Sequence, residues 1–152
     1  MADDPFRPIL ALAAKQLGID CPALDAMGVG GITGEDGYEI SIIAPPFDPF
    51  AYLAAPICFL EGTEEKALSR RALECNYMLT RTRGATLAID PDANQLILCA
   101  GLRLASLSAE VLAEEIASMG EVARDLREQF LAPPDSAEPS GTEEPVPGVI
   151  RV

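Results

Sequence analysis

Residues Ala85 to Leu104 read ATLAIDPDANQLILCAGLRL. An apolar run carrying Leu87 and Ile89 reaches Pro91-Asp92-Ala93-Asn94, and a longer apolar run follows. Proline fixes φ, and the short side chains of Asp92 and Asn94 can bond to nearby backbone, so this punctuation predicts a β-hairpin. Nothing in the hairpin suggests chemistry. The question it raises is what so much apolar strand serves in a strongly acidic chain.

Upstream, Thr63 with Glu64 and Glu65 predicts a helix start: a hydroxyl cap followed by acids at the positive end of the dipole. Leu68, Ala72, Cys75 and Leu79 then recur at helical spacing, with Leu73 and Met78 flanking them and Gly84 as the stop. Arg70 and Arg71 are within reach of Glu74 on the outer face. Downstream, Ser108 caps a last helix with Glu110 in its first turn. Leu112, Ile116, Met119, Ala123, Leu126 and Phe130 form its stripe, and Glu114, Glu115, Glu121, Asp125, Arg127 and Glu128 lie between them. Gly120 weakens it by about 1 kcal/mol relative to alanine. Such a stripe packs on a sheet; a coiled coil is the less common alternative.

Toward the N-terminus, Phe50 to Leu60 is apolar on both faces yet contains Pro56. Proline cannot donate to a central ladder, so the expectation is an edge strand or a bulged one. An apolar edge invites aggregation unless something pairs with it. Pro45-Pro46 ends a preceding strand, Tyr38 to Ile43, in which Tyr38, Ile40 and Ile42 alternate with Glu39, Ser41 and Ile43. Glu35-Asp36-Gly37 predicts the turn before it. From Asp20 to Gly37 the signal is weak. MGVGGITG, with Gly28, Gly30, Gly31 and Gly34, lacks the strand, the Lys-Ser/Thr and the spacing of a phosphate-cradling loop, so a flexible turn or weak strand is expected. The first helix takes Asp4 as N-cap and Pro5 as its first residue, and ends at Gly18. Phe6, Leu10, Ala13 and Leu17 make one apolar face, and Ile9 and Leu12 widen it beyond what one contact needs.

The 152 residues suffice for one domain with a core, and at 49% hydrophobic the chain needs no metal or disulfide staple. Its net charge of −13 argues against nucleic acid as a partner. Lys66, Arg70, Arg71, Arg81 and Arg83 form a local basic cluster, read as the solvated face and basic end of the middle helix, with a docking patch as the alternative. Histidine is absent, which removes the imidazole base and the common nucleophile pairs. The cysteines Cys21, Cys58, Cys75 and Cys99 show no metal spacing and are expected to be reduced, mostly buried thiols. No catalytic, cofactor or metal residues are therefore assigned. The longest run without a polar side chain, Phe50 to Leu60, is too short to span a bilayer as a helix, and MADDPFR lacks the order of a signal peptide. A cytoplasmic protein with no membrane insertion is expected. Residues 1–131 form the domain, and 132–152, rich in Pro, Ser, Glu and Gly, is expected to be a disordered acidic tail.

The predicted order is α-β-β-β-α-β-β-α, an α+β domain with an antiparallel sheet and helices on one side. That order, with Leu73-x-x-Asn76, then Gly-Ala-Thr-Leu-x-Ile-Asp over 84–90, a turn, and Leu-x-Leu-Cys over 96–99, resembles the class I type III secretion chaperones of the Tir chaperone (CesT-like) family. LASLSAEVLAEEIASM, 104–119, is similar to the family's closing helix, and LAAKQLGI, 12–19, to its opening helix. The resemblance implies a non-catalytic homodimer that keeps the extended N-terminal segment of a secreted effector soluble until export. By position it places Leu68, Ala72, Cys75, Leu79, Leu87 and Ile89 at the dimer contact, and Ile9, Leu12, Ile40, Ile42 and Leu53 in the client grooves. A general or regulatory protein-binding module of the same fold is the alternative. An enzyme using carboxylates or a thiol is a more distant one.

Overall fold

The computed structural model describes residues 4–131, so the predicted tail at 132–152 lies outside the described residues. The elements are α1 (Phe6–Leu17), β1 (Val29–Thr33), β2 (Glu39–Ile43), β3 (Phe50–Phe59), α2 (Glu65–Asn76), β4 (Thr86–Asp90), β5 (Gln95–Arg103) and α3 (Ala109–Leu131). The order matches the expected one, and every strand pairing is antiparallel.

The sheet runs β1-β2-β3-β5-β4. Its alternation sorts the two faces. Ile40 and Ile42 on β2, Ala51, Leu53, Ala55 and Ile57 on β3, and Leu96, Leu98 and Leu102 on β5 are buried in one core with the helices. Onto it α1 contributes Phe6, Leu10 and Ala13, while α3 contributes its whole predicted stripe from Leu112 to Phe130. The α3 stripe therefore packs on a sheet and on α1, not on another coil. Large side chains fully removed from water, such as Phe6, Leu10, Leu53, Leu98 and Leu112, each contribute about 1.5–3 kcal/mol through burial.

The hairpin is present, with Leu87 opposite Leu98 and Ile89 opposite Leu96. Its turn is capped by Asp90, whose Oδ1 accepts the N–H groups of Asp92 and Ala93. Asn94 takes the left-handed conformation there (φ 50°) and exchanges bonds with Leu60, its backbone oxygen accepting the Leu60 N–H at 2.9 Å.

β3 corrects the expectation of an edge strand: it lies at the centre, between β2 and β5. The expected bulge is present, with the register shifting between Pro56 and Cys58. The centre tolerates this proline because β2 pairs only with Tyr52, Leu53 and Ala54 and stops short of it. The carbonyl of Pro56 is instead taken by the guanidinium of Arg127, at 2.7 Å.

Three helix ends differ in detail from the sequence reading. Pro5 occupies the N-cap of α1, and Asp4 caps from one residue earlier by accepting the Phe6 N–H at 3.0 Å. Pro8 is tolerated in the first turn, where N–H groups have no intrahelical acceptor. At the other end Gly18 closes the helix in the left-handed region (φ 67°). The α2 helix is preceded by a short 3-10 turn and has Glu64 as its N-cap, with no side-chain bond. It also ends at Asn76, earlier than its periodicity suggests.

Candidate client and partner surfaces

β1 forms in the weak stretch, and the glycines in it and just before it meet a need for space. A Cβ on Gly28 would collide with the Ala44 carbonyl, and one on Gly30 would come within 2.6 Å of the Ala23 oxygen, where Ala23 and Leu24 cross the strand. Gly28 also needs its positive φ of 78°. These needs replace any phosphate-binding role.

The pairing of β1 determines what its outer edge offers. Ala44 N–H bonds the Gly28 oxygen at 2.9 Å, and Gly34 N–H bonds the Tyr38 oxygen at 2.8 Å. With the register Gly30 to Ile42 and Ile32 to Ile40, the even-numbered residues face β2 and Val29, Gly31 and Thr33 face outward. Val29 is plugged by Asp25: its N–H donates to Asp25 Oδ1 and its oxygen accepts the Asp25 N–H, both at 2.9 Å. The outward groups of Gly31 and Thr33 have no partner among the described residues.

Asp25 and Gly28 also line an apolar concavity of about 500 Å³ between the start of α1, the loop after β2 and the end of β5. Pro5, Phe6, Ala26, Pro45, Pro49 and Leu104 supply its walls. Phe47, in that loop, stands 95% exposed with a strained φ of 68°. The hollow thus meets β1 at its start, next to the plugged Val29, and the open groups of Gly31 and Thr33 lie farther along the same strand.

The expected client residues divide. Leu12 is 56% exposed on α1, and Ile9 is partly exposed while packing against the core. Ile40, Ile42 and Leu53 are buried in this chain's own core, with Ile42 and Leu53 fully sealed. Their assignment to a groove is corrected: they lie on the sheet face that the helices cover.

The expected dimer residues divide in the same way. Ala72 and Cys75 on α2 and Leu87 on β4 are buried, and Leu68 of α2 packs against the same core, so these four hold α2 to its own sheet. Leu79 and Ile89 are exposed. Beside them lie residues that the helical stripe did not select: Leu73 at 71%, Tyr77 at 77% and Met78 at 73% exposure. The available signal was their position as apolar residues off the buried stripe. The chain after Asn76 turns sharply, with Met78 and Leu79 both at positive φ (59° and 56°), which is costly for bulky residues and turns this cluster outward.

Asn76 explains that break. Its Nδ2 donates to the Leu87 oxygen at 3.0 Å, and its Oδ1 accepts the Leu87 N–H at 2.8 Å. The amide thus pairs like one residue of a neighbouring strand at the outer edge of β4. Asn76 of the Leu73-x-x-Asn76 pattern thus joins helix to sheet, while Leu73 stays exposed.

Elsewhere three residues of the basic cluster are held in local contacts. Arg70 bonds Glu74 at 2.9 Å, Arg83 bonds Glu121 at 2.8 Å, and Arg71 reaches across to the Gln129 oxygen and lies 4.7 Å from the Phe130 ring centroid. Arg127, expected among the polar residues of α3, is buried. Burial pulls its pKa down, with Asp36 and Tyr38 opposing the shift. All the cysteines are free thiols; Cys58 and Cys75 are buried and Cys99 is half-buried, in line with the mostly buried expectation, while Cys21 is exposed. Burial pushes the thiols of Cys58 and Cys99 up. Among the described residues no group of His, Cys, Asp and Glu could hold a metal ion, and no helix is long and apolar enough to cross a membrane.

A five-stranded antiparallel sheet covered by helices on one face, with an open edge and exposed apolar residues, makes this an α+β domain. The chain belongs to the Tir chaperone protein (CesT) family, whose model matches residues 9–127. Its fold is similar to that in the ExsC–ExsE complex (TM-score 0.68, 16% identity, 82% of this chain and 92% of that one). It is also similar to the HopA1–SchA chaperone–effector complex (TM-score 0.66, 17% identity, 82% and 94%). The heterodimeric ExoU–SpcU complex of the Pseudomonas aeruginosa type III secretion system matches at TM-score 0.59 and 14% identity, over 82% and 93%. No curated protein sequence matches.

Proposed function

We propose that this chain is a non-catalytic cytoplasmic chaperone that binds the extended N-terminal segment of a secreted effector and keeps it soluble and export-competent. The observation that carries the reading is the β1 edge: Gly31 and Thr33 present unpaired backbone groups on a strand whose near end, at Gly28, lines an apolar hollow. An extended segment adds to such an edge through main-chain bonds while its side chains fill apolar pockets. Family membership and the chaperone–effector assemblies of similar fold support this occupant.

Apolar area removed from water contributes roughly 25 cal/mol per Å², before the entropy of ordering the client is charged. The net charge of −13 favours basic client segments and speeds their encounter. The exposed apolar residues Leu73, Tyr77, Met78, Leu79 and Ile89 are proposed as the contact with a second copy, because they concentrate on α2, the turn after it and β4, the strand that α2 packs against.

Co-expression with the N-terminal segment of an effector from the same genome tests this. A stable complex of two chaperone copies with one client, by light scattering on a sizing column, is expected. A chain that stays monomeric and leaves the segment insoluble would contradict the reading.

A further inference from the structure

We propose that Arg127 is a positioning residue for client capture, tying the β1–β2 hairpin to α3 so that the open β1 edge is held ready for an incoming strand. The proposal rests on the reading of β1 as the client edge.

Its basis is the mismatch between how β1 is held and what it is asked to do. The strand has five residues, two of them glycine, and none is buried. Glycines lose the most freedom on ordering, so pairing with β2, with Ile32 alone of the strand packed against the core, is a weak restraint. At its start Asp25 fixes Val29. At its far end the turn closes on itself through Gly34 and Tyr38, and Asp36 Oδ1 accepts the Tyr38 N–H at 3.1 Å.

What joins that turn to the body of the protein is Arg127. Its Nη1 donates to Asp36 Oδ2 at 2.9 Å, its Nε donates to the Pro56 oxygen at 2.7 Å, and its guanidinium carbon lies 3.8 Å from the Tyr38 ring centroid. One planar fork therefore grips the hairpin turn, the central strand and an aromatic ring together. Lysine cannot reproduce this, because it lacks both the fork and the flat stacking surface. A cation this well buried is costly unless each contact is made, so the site commits the hairpin to one position. A held edge binds more tightly than a loose one because less ordering is left to the moment of binding.

The test uses the full chain and a fluorescein-labelled synthetic peptide of about twelve residues alternating valine with lysine and threonine. Two quantities are read: peptide affinity by fluorescence anisotropy, and backbone amide exchange. In Arg127→Met the apolar stem is kept and the fork is lost. Amides of 29–43 should exchange about tenfold faster without peptide, those of α3 and β5 should be unchanged, and peptide affinity should fall about tenfold. Arg127→Lys should not restore either value. Should Arg127→Met fail to fold, Asp36→Asn, which keeps the Tyr38 contact and removes the charge, should show the same pattern at about threefold.

Unchanged hairpin exchange or unchanged affinity in the folded variants would overturn the role of Arg127. So would faster exchange spread evenly through α3 and β5, which is what general destabilisation gives. A wild-type chain whose Gly31 and Thr33 amides gain no protection from bound peptide would overturn the client-edge reading itself. The two failures are thereby told apart.

Discussion

The two edges of this sheet are finished differently. At β4 a side-chain amide from α2 occupies the backbone groups of Leu87, and the surroundings are apolar: Tyr77, Leu79 and Ile89 stand exposed around it. At β1 a carboxylate plugs Val29, but Gly31 and Thr33 are left open, and small residues take the place of large ones. The β4 edge is blocked for backbone pairing at Leu87, leaves only Ile89 open, and is rich in side-chain surface. The other is open for backbone pairing and poor in side-chain surface of its own. The first suits a partner of fixed sequence, such as a second copy. The second suits a client recognised mainly as an extended chain, with its apolar side chains received by the hollow at the start of the strand.

The largest effect expected from breaking this contrast is at Asn76. Asn76→Ala removes both bonds to Leu87 and leaves partly buried backbone groups unpaired, which should cost about 2–3 kcal/mol in urea unfolding. A loss below about 0.5 kcal/mol would mean that the amide does not hold α2 to β4.

Next is the apolar patch. Leu73→Asp combined with Tyr77→Asp should weaken self-association at least about a hundredfold while the fold survives, since both side chains are exposed. Light scattering that still finds a dimer would remove these residues from the contact.

A smaller effect is expected from Thr33→Pro. The N–H at this position faces outward, so the ladder to β2 loses nothing and stability should stay within about 0.5 kcal/mol. Affinity for a client segment should fall about tenfold, because one edge donor is gone. Unchanged affinity would show that the segment does not bond along β1.

The smallest test compares thiols near the two edges. Cys21 precedes β1 and is exposed, whereas Cys99, next to β4, gives its S–H to the Thr86 oxygen at 3.3 Å and is pushed up by burial. At about pH 8, Cys21 should react with a disulfide reagent more than about tenfold faster, since the thiolate is the reactive form. Equal rates would mean that the β4 side opens as readily as the loop before β1.

Much of the fold was legible because its periodicities are strong. The α3 stripe and the 85–104 hairpin needed no tertiary information. What stayed hidden depends on contacts distant in sequence. Pro56 reads as an edge signal until β2 is known to stop at the partner of Ala54 and Arg127 to supply a donor from 71 residues away. Asn76 looks like an ordinary helical residue until its amide meets Leu87. Arg127 sits one step from Leu126 on the helix, and spacing alone does not show that it points inward.

The candidate surfaces were less legible for a physical reason. Alternation and helical stripes report which residues are apolar and share a face, and that signal is strongest for side chains buried in the chain's own core. Ile42, Leu53, Ala72 and Cys75 satisfied the pattern because they are core. The open backbone groups of Gly31 and Thr33 carry no side-chain signal at all.

Amide exchange on the chaperone with and without its effector segment addresses the central claim most directly. Slowed exchange at Gly31 and Thr33, with Leu87 unchanged, is the predicted result. Protection confined to the β4 side, with Gly31 and Thr33 exchanging as in the unbound chain, would contradict it.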